Sequence, residues 1–139
     1  MTKDVRICVN GYQKDVDGNE NSDITEDVGL FYEKDGLRFV IIENKSENRN
    51  ARYKFNHRFL EIVRNGEYNS KLYFEAGKEY VSAYSTPYGQ MILTFKTKSF
   101  SVEESDEQTT ISVCYDLFHN EKLLSENKTV VAIAKIIKE

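Results

Sequence analysis

Residues 80–95, YVSAYSTPYGQMILTF, set two alternating apolar runs on either side of Thr86-Pro87-Tyr88-Gly89 and hold the only proline of the chain. Proline at the second position of a turn presets φ, and glycine at the fourth suits a type I reversal. Pairing Ser85 with Gln90 places Tyr84 opposite Met91, Ser82 opposite Leu93 and Tyr80 opposite Phe95. The reverse face carries Ala83–Ile92, Val81–Thr94 and Glu79–Lys96, and its opposite-charge pair suits solvent. The first set is expected inward, and it takes the hydroxyls of Ser82 and Tyr84 with it.

The same pattern extends in both directions. Residues 3–12 alternate, with Val5, Ile7 and Val9 on one side of a half-buried strand. Residues 13–22, QKDVDGNENS, read as a polar loop. Asp35-Gly36 is a strong two-residue hairpin signal. It pairs Lys34 with Leu37, Tyr32 with Phe39 and Leu30 with Ile41, which gathers the apolar set on one face and puts Glu33 against Arg38. Residues 44–50, NKSENRN, form an exposed tip, and residues 52–56 and 57–64 are strands. A second tight turn at Asn65-Gly66 pairs Arg64 with Glu67, Phe59 with Leu72 and Glu61 with Ser70. Ala76-Gly77 breaks the chain. Residues 99–110 carry the acidic run Glu103-Glu104-Ser105-Asp106-Glu107 and read as a solvated loop. The last hairpin, residues 109–118 and 123–136 around residues 119–122, turns its odd positions inward. Ile111, Val113, Tyr115 and Leu117 then share a face with Leu123, Ser125, Asn127, Thr129, Val131 and Ile133.

The count is about eight to ten short strands joined by tight reversals, with no helix, repeat or linker. This predicts one all-β domain over residues 1–139, an antiparallel meander closed into a barrel so that no edge strand is left open. Nine tyrosines and eight phenylalanines, with no tryptophan, suit strands. A net charge of −4 offers no basic footprint for nucleic acid. No apolar run reaches membrane-spanning length, and the N-terminus lacks the apolar core of a secretory leader, so a cytoplasmic protein without membrane association is expected. Cys8 and Cys114 are then free thiols, since a disulfide requires the first strand to neighbour the ninth.

Three stretches carry a family resemblance: Tyr32-Glu33-Lys34-Asp35-Gly36; Arg64-Asn65-Gly66-Glu67-Tyr68-Asn69-Ser70 with Phe74; and Tyr84-Ser85-Thr86-Pro87-Tyr88-Gly89. Leu93, Thr97 and Ser125-Glu126-Asn127 fit as well. Together they resemble the YwiB-like family of small bacterial proteins, a domain of unknown function with a lipocalin-like (calycin) barrel. Residues 44–52 depart from it, being rich in Asn and charge where a Gly/Thr-rich connection is expected. The resemblance implies a fold and no activity, so it carries over no catalytic residue.

No nucleophile elbow, phosphate-binding glycine loop or paired-carboxylate motif is present. His57 and His119 lie near turns with no ligand-spaced partner, so neither metal nor other cofactor is expected. What stands out is polarity on inward faces, at Glu61, Ser70, Ser82, Tyr84, Tyr115, Ser125, Asn127 and Thr129. A buried polar group left unpaired costs about 1–3 kcal/mol, so these groups need one another, water or a ligand. The first reading is a non-enzymatic barrel holding a small hydrophobic or amphipathic ligand, with Glu61 as a charged anchor. The second is a filled barrel that binds a partner through residues 44–50 or an exposed strand, a homodimer included. An enzyme ranks third.

Overall fold

The computed structural model describes residues 3–66 and 69–136. Ten strands make one antiparallel sheet: β1 (Lys3–Asp15), β2 (Glu20–Lys34), β3 (Leu37–Asn44), β4 (Arg49–Phe55), β5 (Phe59–Gly66), β6 (Ser70–Glu75), β7 (Glu79–Thr86), β8 (Gly89–Glu104), β9 (Gln108–His119) and β10 (Lys122–Lys135). Their order is β6-β5-β4-β3-β2-β1-β10-β9-β8-β7, so a meander wraps round until its two ends meet. The result is a nearly closed all-β barrel. No helix is long and apolar enough to cross a membrane among the described residues.

Among the described residues no ladder joins β6 and β7. A short turn links them, in which Gly77 N–H donates to Thr97 O (3.0 Å) and Thr97 N–H to Lys78 O (3.1 Å). The Ser82 hydroxyl then donates to Lys71 O across the seam at 2.9 Å. Aromatic rings fill the same line, Tyr73 lying between Phe59 and Tyr80 at 5.5 and 6.1 Å. At the far end Arg38 grips Glu104 through Nε and Nη2 (2.7 and 2.9 Å), tying β3 to β8. A paired fork of this kind fixes direction as well as charge.

Alternation builds the core. Val5, Ile7, Ile111, Val113, Val131 and Ile133 face Val40, Ile42, Phe55, Leu60, Ile62 and Phe74, all buried. Each such side chain contributes about 1.5–3 kcal/mol through area removed from water. The hairpin of residues 80–95 has the expected register, Tyr80 meeting Phe95. In that of residues 109–136 Asn127 meets Tyr115 on the expected inner face, but a bulge between Leu123 and Ser125 sets Leu123 opposite Phe118 and so corrects its expected inward placement. The last reversal uses left-handed φ at Asn120 and Glu121 (50° and 66°), the geometry of a tight hairpin turn.

Four further expectations are corrected. Residues 13–22 are mostly strand, because Asp15 confines the reversal to residues 16–19. Its carboxylate accepts from the N–H groups of Asp17 and Asn19 at 2.9 Å each. Residues 99–104 continue β8, because Phe100 and Val102 pack on the core and Ser105 closes the turn onto Gln108. The β2–β3 register is as read, yet its apolar face is the outer one. Tyr32 and Phe39 stack outside at 4.8 Å, while Val40 and Ile42 point in. Finally, Arg64 pairs with Ser70, not Glu67, and this puts Glu61 opposite Tyr73. Leu60, Ile62, Leu72 and Phe74 thereby all face the core, a larger gain than a tighter turn offers. Glu67 and Tyr68 lie outside the described residues.

Strand β10 lies between β1 and β9, so Cys8 and Cys114 are not neighbours, and both are free. Gly29 allows β3 to pass close to β2: a Cβ there would sit 2.7 Å from Ile41 O and 3.2 Å from Val40 Cγ1. Beyond that corner β3 leaves β2, and their ladder ends at Leu30–Ile41. Gly29→Ala is therefore expected to cost about 1–3 kcal/mol, the range for overpacking, in chemical denaturation. Gly11→Ala should cost much less, since its Cβ would meet the movable Asp23 carboxylate at 2.8 Å. Equal losses at the two glycines would contradict the close approach at Gly29.

The Asp15 carboxyl is held below its ordinary value, chiefly by the Asn19 backbone N–H. Its contribution to stability is present above the unfolded pKa of about 4 and is lost as pH falls through the lower folded value. Thermal melts of Asp15→Ala and the parent should differ by a constant amount from neutral pH down to about pH 4 and converge below it. A gap that widens on acidification would contradict this.

Candidate functional site

Register alone arranges the inner face of β2, β1, β10 and β9 in rows. The row Thr25–Val9–Val131–Ile111 is mostly apolar. One step toward the five hairpin tips comes Asp23–Gly11–Thr129–Val113. The next is Asn21–Gln13–Asn127–Tyr115, with no aliphatic member. Polarity thus rises from core to mouth along a single wall. The facing wall, on β3 to β6, is apolar toward the core with Ile42, Ala51, Tyr53, Ile62, Leu72 and Phe74, and carries Arg49, Asn50, Arg64 and Asn65 toward the tips.

Between the walls lies a partly open cavity of about 860 Å³. Its side opening follows from the corner at Gly29: residues 20–28 of β2 pair with β1 but have no ladder to β3. One charge pair spans that gap, Arg49 Nη2 to Asp27 Oδ1 at 2.7 Å, and the same nitrogen meets Glu47 at 2.9 Å. Arg49 Nε is buried with no acceptor among the described residues. Charge-assisted bonds of this length align the guanidinium and keep β4 over the mouth.

Of the expected residues, Tyr115, Asn127 and Thr129 line the cavity together. Burial pushes the Tyr115 phenol up, the Thr129 hydroxyl and the Arg64 charge oppose that, and Asp23 adds to it. The phenol therefore remains a neutral hydrogen-bonding group at neutral pH. Ser125 lies behind the wall, almost wholly buried, and accepts from Asn127 Nδ2 at 2.9 Å. This bond sets the direction of the Asn127 amide. Ser70 is half-buried opposite Arg64 and does not line the cavity. Ser82 belongs to the seam. Glu61, expected inside as an anchor, lies on the outer face with Lys71 3.9 Å away. The Tyr84 side chain lies outside the described residues.

Gln13, Asn21, Asp23, Thr25, Asp27, Arg49 and Arg64 are among the lining residues that went unread. A signal existed in β2, where Asn21, Asp23, Thr25 and Asp27 alternate with Ile24, Glu26 and Val28. There the polar side faces in, and Ile24 and Val28 are 69% and 59% exposed. Thr97 adds a buried hydroxyl with no partner among the described residues, beside Tyr115 in the next strand. Among the described residues no group of His, Cys, Asp and Glu is placed to hold a metal ion.

Residues 7–130 match the model of a family described as "Domain of unknown function (DUF1934)". The chain belongs to that family. Its fold is similar to that of the ywiB protein from Bacillus subtilis, a crystal structure with a TM-score of 0.83 over 98% of this chain and 94% of that one. Sequence identity is 17%, so the likeness is one of fold. No curated protein matches this member of the family. Nine of its ten strands take part in the unbroken ladders from β6 to β1 and from β1 to β8, and β7 completes the set through its hairpin.

Arg49→Met should open the side gap. With the pair partly exposed, the expected loss of stability is about 1 kcal/mol. The sharper readout is hydrogen exchange: amides of residues 20–28 and 49–52 should exchange faster while those of β9 and β10 stay protected. Uniform acceleration would show that the pair is not a local latch.

Proposed function

We propose that this barrel binds a small amphipathic molecule, without chemistry, in the cavity between its polar and apolar walls. The observation that carries the reading is the division of the cavity into two faces. Thr129, Asn127 and Tyr115 stand on one side, and Ile62, Leu72 and Phe74 on the other. A wholly apolar ligand would leave the first set unpaired at about 1–3 kcal/mol per buried group. A wholly polar one would gain nothing from the second. A volume of about 860 Å³ lies within the range of small-molecule sites. Asn127, aimed by Ser125, and Thr129, in the neighbouring row of the same wall, offer directed groups to a ligand's hydroxyl or carbonyl. The lipocalin-like (calycin) resemblance and a cytoplasmic setting accord with a carrier or sensor of a metabolite.

Native mass spectrometry of the freshly purified chain tests this. A small-molecule adduct is expected on the parent and not on Ala51→Trp, whose added ring projects from the apolar wall. Lys71→Ala, on the outer face, should keep it. Bare chain throughout, with no metabolite fraction raising the melting temperature of the parent above that of Ala51→Trp, would end the proposal.

A further inference from the structure

The charges that line the cavity divide into those already paired and those left over. Asp27 and Glu47 share Arg49, and that set closes on itself across the side gap. Asp23 on β2 and Arg64 on β5 remain, one on each wall. Among the described residues neither forms an ion pair, with the other or with a third group. Arg64 takes the next inward position of β5 after the buried Leu60 and Ile62, which puts a cation where the apolar wall reaches the mouth. The Asp23 carboxylate lies beside Gly11, where a Cβ would stand 2.8 Å from its Oδ1. The missing side chain leaves room for a carboxylate in the row that Thr129 completes.

Both charges reach the Tyr115 phenol, in opposite senses: Arg64 favours negative charge there and Asp23 opposes it. A cation and an anion thus face one space, with Ile62, Leu72 and Phe74 beside them. Asp23 and Arg64 are exposed, so in the empty cavity water satisfies each. A molecule that enters displaces that water and must supply the opposite charge in its place. An anionic amphipath sets its head against Asp23 as well as Arg64, a cationic one does the reverse, and a neutral one leaves both unpaired. Only a molecule with both charges matches both walls.

We propose that the cavity selects a zwitterion with an apolar side chain, an α-amino acid or a short peptide, its carboxylate held by Arg64 and its ammonium by Asp23. This names the class of the amphipathic ligand argued above and rests on that reading. A guanidinium takes a carboxylate through two parallel bonds, and the neutral Tyr115 hydroxyl adds a donor. The ligand's side chain then lies on Ile62, Leu72 and Phe74.

Isothermal titration of the full-length chain tests this with L-leucine and leucyl-leucine, each beside its N-acetyl and C-terminal amide forms, which keep one charge. At least one zwitterion should bind about tenfold or more tighter than its singly charged forms. Asp23→Asn should weaken that zwitterion by a similar factor and leave the N-acetyl form unchanged. Arg64→Gln should weaken it likewise and leave the amide form unchanged. Both side chains are exposed, so the variants should keep the parent's far-ultraviolet circular dichroism. Tighter binding of leucine would support a free amino acid as the source, and tighter binding of leucyl-leucine a peptide. Singly charged forms that bind as tightly as the zwitterion would overturn the proposal, as would a zwitterion indifferent to both variants. Binding of neither zwitterion would also overturn it. Native mass spectrometry of the parent against Ala51→Trp then shows whether the amphipathic reading falls with it: an adduct on the parent alone keeps the cavity and removes only the zwitterion.

Discussion

One unbroken run of ladders, β2 to β1 to β10 to β9, determines which side chains see the inside of this barrel. Pairing holds from Lys3 to Lys14 on one side of β1 and from Val5 to Asp15 on the other. A slip of one residue anywhere along it would turn Val5, Ile7, Val131 and Ile133 to solvent together. With those side chains contributing about 1.5–3 kcal/mol each, no local preference near the mouth can compete. Asp23, Gln13 and Asn127 therefore point inward because the apolar residues further along the same strands require it. The polar wall is a consequence of register, and the cavity is where that consequence is tolerated.

The corner at Gly29 creates the space. Without a Cβ, β2 can approach Ile41 O, after which β3 departs and carries the apolar wall away from the polar one. Had the β2–β3 ladder continued, the two walls would have met and Asp27 would have been sealed beside Ile7, its neighbour in the β1 register. A sealed carboxylate is expensive without a partner. The gap instead lets Arg49 reach it from the β4 side, and the side chain of Asp27 stays 11% exposed.

Where turn chemistry and alternation agree, the fold was legible in the sequence. Thr86-Pro87-Tyr88-Gly89 and Asp35-Gly36 fix their hairpins locally, and the observed pairs match. Where they disagree, alternation wins: Asn65-Gly66 looks like a complete two-residue turn, yet β5 runs on to Gly66 so that Leu60 and Ile62 meet Phe74 and Leu72. Glu61 was misplaced by that same choice, since its face depends on the register. Residues 13–22 looked like loop because polar sequence usually means solvent. Here the strand is long enough to carry its polar half past the core to the mouth. Tyr115, Asn127 and Thr129 could be found because β9 and β10 alternate cleanly around the buried Ile111 and Val131. Asp23, Thr25 and Asp27 went unread although β2 alternates, because it turns its apolar residues outward, a choice set by its register with β1.

The open edge of β2 shows how charge is used. Along residues 20–28 the backbone lacks a partner on the β3 side, and the aliphatic side chains Ile24 and Val28 are exposed, a combination that invites strand addition. Four acidic residues stand on that strand, alternating between its two faces, so any chain approaching in register meets negative charge from either side. They also serve the cavity, because Asp23 and Asp27 belong to its lining. Protection of the edge and polarity of the site are thus supplied by the same side chains.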